Sequence, residues 1–215
     1  MHDIVIIGAG GFGRELNDLL WDCLSPEQYR LKGFLAKNPN ELDGYDINAS
    51  ILDHPDHYQP QPNDRFLLAI GDMDVRPRIV ETLLKKNGQF LTFVHPSAII
   101  SKTAHIGLGA VIYPYAVVMN RAVIEDYVHL SIFASVGHDA QAGRYSLIAP
   151  YATLNGFSRI EDEVYLSTHS TVAPEKHVGR RSKVSANSAV MQDVPANSLV
   201  YGVPGKQSRM LASDE

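Results

Sequence analysis

Residues 98–112 read Ala98-Ile99-Ile100-Ser101-Lys102-Thr103-Ala104-His105-Ile106-Gly107-Leu108-Gly109-Ala110-Val111-Ile112, and the same six-residue phrase runs on to residue 196. Stepping by six from Ala98 meets a small residue or Val at every place except Lys176. Stepping by six from Ile100 meets a branched aliphatic at every place except Ala142 and Ala196. Helical periods do not give a strict six, and a plain strand alternates with period two. A fixed short period is the mark of a solenoid. The expected object is a triangular prism in which each hexad is one short strand and one corner, and three hexads close a coil. Side chains two apart share a face, so the aliphatic and the small residue before it point inward. Coils stacked about 4.8 Å apart make a prism roughly 27 Å tall, each coil touching only its neighbours.

The residues between the inward pairs face outward. One wall then carries Ile99, Val117, Ser135, Thr153, Thr171 and Ala189, none of them charged. The second carries His105, Val123, Gln141, Arg159, His177 and Pro195, and the third Val111, His129, Leu147, Tyr165 and Lys183. A flat uncharged wall is a candidate subunit interface, and a homotrimer is expected. No insertion interrupts the repeat, so a site has to lie on the prism itself, between subunits.

Working back from the prism, His95-Pro96-Ser97 joins it to an N-terminal segment with no Gly/Ser linker. Residues 4–7, Ile-Val-Ile-Ile, are a buried strand. Gly8-Ala9-Gly10-Gly11-Phe12-Gly13 follows, and Arg14–Trp21 has helical spacing. Strand, glycine turn and helix in that order fit G-x-G-x-x-G through Gly8, Gly10 and Gly13, where a helix N-terminus meets a phosphate. Further strands are expected at Tyr29–Leu35, Asp46–Leu52, Arg65–Ile70 and Phe90–Val94, with a helix at Pro77–Lys86 stopped by Asn87-Gly88. The division is an α/β Rossmann-like domain over 1–94 binding a sugar or nucleotide, a parallel β-helix over 95–198, and a C-terminal tail over 199–215. A nicotinamide cofactor would want a carboxylate at the end of the second strand, where this chain has Ala36-Lys37.

Composition narrows the function. The chain has 215 residues, 45% hydrophobic and 20% charged, as expected of a packed globular protein. A net charge of −5 and a pI near 6.0 argue against nucleic-acid binding. The single Cys23 excludes an internal disulfide and suits a reducing compartment. No apolar run approaches the roughly 20 residues that span a membrane, and the first residues lack a signal-peptide layout. A cytoplasmic location without membrane contact is expected.

His138 falls at a prism corner bordering the uncharged wall, with Asp139 beside it and Asn155-Gly156 one coil on. An imidazole there is placed to act as a general base, and a carboxylate on its other nitrogen would orient it. The residues alone favour the plainer reading, a solvated corner histidine beside a solvated aspartate.

Four stretches give the whole chain a resemblance to the sugar O-/N-acyltransferases with hexapeptide repeats, of the sialic acid O-acetyltransferase and bacillosamine or perosamine N-acetyltransferase type. They are Ile6–Glu15, Ala69-Ile70-Gly71-Asp72, Val94–Ala98, and Asp193-Val194-Pro195 through Gly202–Lys206. The resemblance implies a left-handed β-helix. It also implies His138 as general base oriented by Asp139, and acetyl-CoA as co-substrate held by Asn155, Gly156, Ala186, Gly202 and Lys206. A sugar or nucleotide-sugar acceptor is implied at Gly8, Gly10, Gly11, Phe12, Gly13 and Gly71. Ser131 departs from the Asn seven residues before the catalytic His of the bacillosamine enzymes, and Ala36-Lys37 from their Asp-Asp, which leaves the acceptor open. A non-catalytic nucleotide-sugar-binding scaffold is the alternative. A zinc site of the γ-carbonic anhydrase kind would draw on His129, His138, His169 and His177, but that family pairs two histidines five residues apart and none here are so spaced; no metal is expected.

Overall fold

The structure is a computed structural model that describes residues 1–210. It divides between Pro96 and Ser97 into two compact units. The first contains β1 (His2–Ile7), α1 (Gly11–Cys23), β2 (Tyr29–Leu35), β3 (Ile51–Asp53), β4 (Asp64–Leu68), α2 (Val75–Lys85) and a last short strand, Phe93–Val94. The sheet is parallel in the order β3-β2-β1-β4. Central β1 is an unbroken apolar run because Ile4, Val5, Ile6 and Ile7 are all buried, as parallel sheets covered on both faces require. Leu16 and Leu20 of α1 and Ile79, Val80 and Leu83 of α2 complete this core.

Several boundaries differ from the sequence expectation. α1 begins at Gly11 rather than Arg14, so the helix takes in half of the glycine turn. β4 starts at Asp64 and ends at Leu68, and α2 starts at Val75, two residues before Pro77. The strand expected at Asp46–Leu52 forms only at Ile51–Asp53, because its polar first half is taken up in turns. The last strand is confined to Phe93–Val94, and Phe90 makes an isolated bridge to Phe66.

In the second unit a two-residue strand recurs every six residues from Ile99–Ile100 to Ala189–Val190. The three walls have the expected membership except for Pro195, which does not join the second, and they pair in parallel register, for example Ser135 with Thr153, Gln141 with Arg159 and His129 with Leu147. The solenoid is the parallel β-helix that the hexads demand, in keeping with the left-handed coil that the resemblance implies. The inward aliphatics from Ile112 to Val184 are fully buried. At every sixth residue from Tyr115 to Asn187 the backbone takes φ between 55° and 63°. L-residues other than Asn, Asp and His rarely adopt that region. Here stacked coils hold it through backbone bonds such as Asp139 N to Asn120 O at 3.0 Å.

The repeat ends earlier than its pattern. Lys183 pairs with Leu199 and Val184 with Val200, and Val194 bridges to Val178. The closing coil is therefore two residues short. Val194 is buried where Ala196 was expected to point inward, and Ala196 and Pro195 are exposed. The stretch expected as a tail from residue 199 instead forms strands Ser198–Tyr201 and Lys206–Arg209, paired antiparallel on the third wall. Residues 211–215 lie outside the described residues.

Candidate active site

His138 and Asp139 occupy the corner between the first and second walls, between the strands Ser135–Val136 and Gln141–Ala142. His138 Nδ1 lies 3.1 Å from Asp139 Oδ2. A carboxylate only accepts, so Nδ1 carries a proton, and in the neutral ring Nε2 holds the lone pair. The other carboxylate oxygen, Asp139 Oδ1, is 3.0 Å from Arg121 Nε. The imidazole is half-exposed while Asp139 is mostly covered, with side-chain exposures of 53% and 17%. Phe157 meets the ring edge-on, with centroids 5.1 Å apart at 86°. Gly156 lies beneath it, and a Cβ built there would stand 2.6 Å from both Cε1 and Nε2 of His138.

Arg121 and Phe157 were missed by the sequence reading. The signal was present, since both stand eighteen residues from Asp139, on the same corner one coil away, the spacing at which this solenoid repeats. Asn155 lies on the same corner as His138, but its amide donates to Thr171 Oγ1 at 3.1 Å and to Val172 O at 2.8 Å, so its N–H groups are already used.

The remaining residues expected at acetyl-CoA lie at the opposite edge of the first wall. Ala186 is on the corner between the third and first walls, after the strand Lys183–Val184 and before Ala189–Val190. Gly202 joins that corner, donating its N–H to Ser188 Oγ at 2.9 Å, and the turn is pinned by Gly205 N to Ala189 O at 2.8 Å. Lys206 follows and is exposed. One chain thus brings together His138, Asp139 and Gly156, and holds Ala186, Gly202 and Lys206 apart from them. Ser131 is buried with its hydroxyl 2.8 Å from His129 Nε2, at the same far edge. Among the described residues no group of three or more His, Cys, Asp or Glu is placed to hold a metal ion.

In the first unit, the sheet order reverses between β1 and β4, the switch point at which open α/β sheets bind ligands. The loops there are Gly8–Gly13 after β1 and Ala69–Asp72 after β4. Gly13 lets α1 close on the turn, because a Cβ on it would lie 1.9 Å from Gly8 O, backbone that cannot yield. Gly13→Ala is expected to cost about 3 kcal/mol of the unit's stability; urea unfolding at the wild-type midpoint would refute this packing. Gly71 is open, with nothing near a Cβ position. Three residues that the sequence reading passed over surround this crevice. Arg76 is buried and donates to Ile70 O at 2.6 Å; burial lowers its pKa to about 9. Arg14 donates to Ala9 O at 3.0 Å, and its guanidinium lies 3.7 Å over the Tyr45 ring.

Comparison with known proteins bears on both units. Residues 3–83 match the PglD N-terminal domain. GDP-perosamine N-acetyltransferase of Escherichia coli O157:H7 is 27% identical over 145 residues, covering 64% of this chain and 63% of that protein. UDP-N-acetylbacillosamine N-acetyltransferase of Bacillus subtilis (strain 168) is 31% identical over 117 residues, covering 52% and 51% respectively. Its relatives are sugar N-acetyltransferases. The aligned stretch thus spans between half and two thirds of these acetyltransferases' length. The fold agrees over nearly the whole chain. The acetyltransferase domain of PglB from Neisseria gonorrhoeae FA1090, solved in complex with acetyl coenzyme A, superposes with a TM-score of 0.85 at 25% identity, covering 95% of this chain and 98% of that one.

Proposed function

We propose that this chain transfers an acetyl group from acetyl-CoA to an amine or hydroxyl of a nucleotide-linked sugar, with His138 as the general base. The observation that carries the reading is the aligned chain Arg121, Asp139, His138, which leaves Nε2 as a free base at an exposed solenoid corner. In this reading Nε2 takes the proton from the acceptor nitrogen or oxygen as it attacks the thioester carbonyl. The C–S bond then breaks, and the imidazolium returns its proton to the CoA sulfur. Asp139 holds Nδ1–H and stabilises the imidazolium, and Arg121 holds Asp139. The relatives named for GDP-perosamine and UDP-N-acetylbacillosamine, together with the PglD-type crevice, support a nucleotide-sugar acceptor. CoA release should be followed against free and CMP-linked sialic acids and UDP-, GDP- and dTDP-linked 4-amino sugars. Turnover with one of the nucleotide-linked sugars is expected, and release no faster than without acceptor throughout the panel would refute the reading.

The assembly proposed is a homotrimer with the first wall turned to the three-fold axis. The support is the split just described. A ring sets the His138 edge of one subunit against the Ala186 and Gly202 edge of the next, completing an acetyl-CoA site that a single chain leaves in halves. That second edge also carries a stack of exposed rings, Tyr115, Phe133, Tyr151 and His169, with successive centroids 5.1, 5.0 and 4.7 Å apart. Ser135→Arg, in the middle of the uncharged wall, is expected to yield monomers in sedimentation and to lower turnover about tenfold or more, since burying an unpaired charge costs several kcal/mol. A Ser135→Arg protein that remains trimeric would place the interface elsewhere.

A further inference from the structure

β2 ends at Leu35 and Ala36-Lys37 follow, without the carboxylate that a glycine turn of this type uses for the ribose of a nucleotide. Beyond it the chain runs through successive turns, Glu41 N to Asn38 O at 3.3 Å, Asp43 N to Asn40 O at 3.1 Å and Tyr45 N to Leu42 O at 3.1 Å. These turns return it to Gly8–Gly13. Tyr45 reaches Arg14, as described. Glu41 reaches Gly10, where a Cβ would stand 3.5 Å from Glu41 Oε1. Glu41 is partly buried, and among the described residues its carboxylate has no hydrogen-bond or ion-pair partner.

A carboxylate accepts hydrogen bonds and repels anions. The part of a nucleoside diphosphate that suits it is the ribose, whose hydroxyls are neutral donors. The diphosphate is repelled from Glu41 and favoured at the start of α1, where the helix dipole is positive and no acidic residue occupies the first turn. We propose that Glu41 is a ribose-binding residue for the nucleotide-linked acceptor, supplying from the loop the carboxylate that is missing from the end of β2. The inference rests on the reading of the glycine turn as a nucleotide site, and it adds a preference for ribonucleotides over their 2'-deoxy forms.

Calorimetry on the full chain with GDP against 2'-deoxy-GDP, and UDP against 2'-deoxy-UDP, tests it. The base is the same within each pair, so only the hydroxyl differs. Wild type is expected to bind the ribo form of its preferred nucleotide about tenfold more tightly, the loss of one hydrogen bond to a charged group. Glu41→Ala should bind both forms equally, and Glu41→Gln, which keeps an acceptor oxygen, should restore part of the preference. Thermal melting should be unchanged in both, since among the described residues the Glu41 carboxylate has no partner to lose. Equal binding of both forms by wild type, or a preference that survives in Glu41→Ala, overturns the role of Glu41 while sparing the nucleotide site. Absence of binding by all four nucleotides removes the nucleotide reading of the turn, and this inference with it.

Discussion

His138→Ala is expected to lower kcat/KM for the accepted sugar by about 10²–10⁴, the usual contribution of a positioned general base. Binding of acetyl-CoA should change little, because the imidazole acts on the acceptor's proton. The loss should appear in kcat, as for an interaction made mainly in the transition state. Folding should be untouched, since His138 is half-exposed and among the described residues its imidazole bonds only to Asp139. Asp139→Asn should fall between wild type and His138→Ala. It keeps the bulk of the side chain but weakens the hold on Nδ1–H and on the imidazolium. Steady-state kinetics with both variants beside wild type decides the point. Undiminished turnover in His138→Ala would remove the mechanism and leave the fold as described.

Gly156→Ala is the second substitution with a large expected effect. The added Cβ would stand 2.6 Å from Cε1 and Nε2 of His138, and Phe157 already occupies the ring's edge. The imidazole has to swing away from the place that Asp139 gives it. Gly156 does not use a left-handed backbone conformation, unlike its neighbour Phe157 at φ 59°, so alanine imposes no backbone strain. The clash is with a solvent-facing side chain that can move. Stability should therefore stay near wild type, while kcat falls about 10–10²-fold, as when a reacting group is displaced by about an ångström. Full activity in a well-folded Gly156→Ala protein would mean that the ring position is not the one used in catalysis.

The solenoid could be read from the sequence because its inward positions tolerate little variety. A branched aliphatic and a small residue are needed in every hexad, and the walls follow by counting. The same counting places His138 and Asp139 at a corner, and Arg121 and Phe157 could have been found by stepping one coil from Asp139. Other features carried no periodic signal. The closing coil is short by two residues, yet Val194 and Ala196 happen to continue the pattern, so composition concealed the change of register. α1 starts within the glycines because their turn is closed by contact between Gly13 and Gly8, which no helix propensity reports. Arg76 reads as an ordinary charged helix residue, and only the fold shows its guanidinium buried against Ile70 O. Glu41 lies in an Asn- and Asp-rich loop in which one carboxylate looks like the next, and its return to Gly10 is a tertiary event.

In the proposed reaction an acetyl group leaves the CoA sulfur and arrives on a sugar. Acetyl-CoA labelled in its acetyl group should be incubated with the wild-type protein and the nucleotide-linked amino sugar that supports CoA release, and the products resolved by mass spectrometry. The label is expected in a new amide or ester on the sugar ring, in one-to-one proportion with free CoA, and should disappear from the sugar with His138→Ala. Label recovered only as free acetate or as unchanged acetyl-CoA would contradict this reaction.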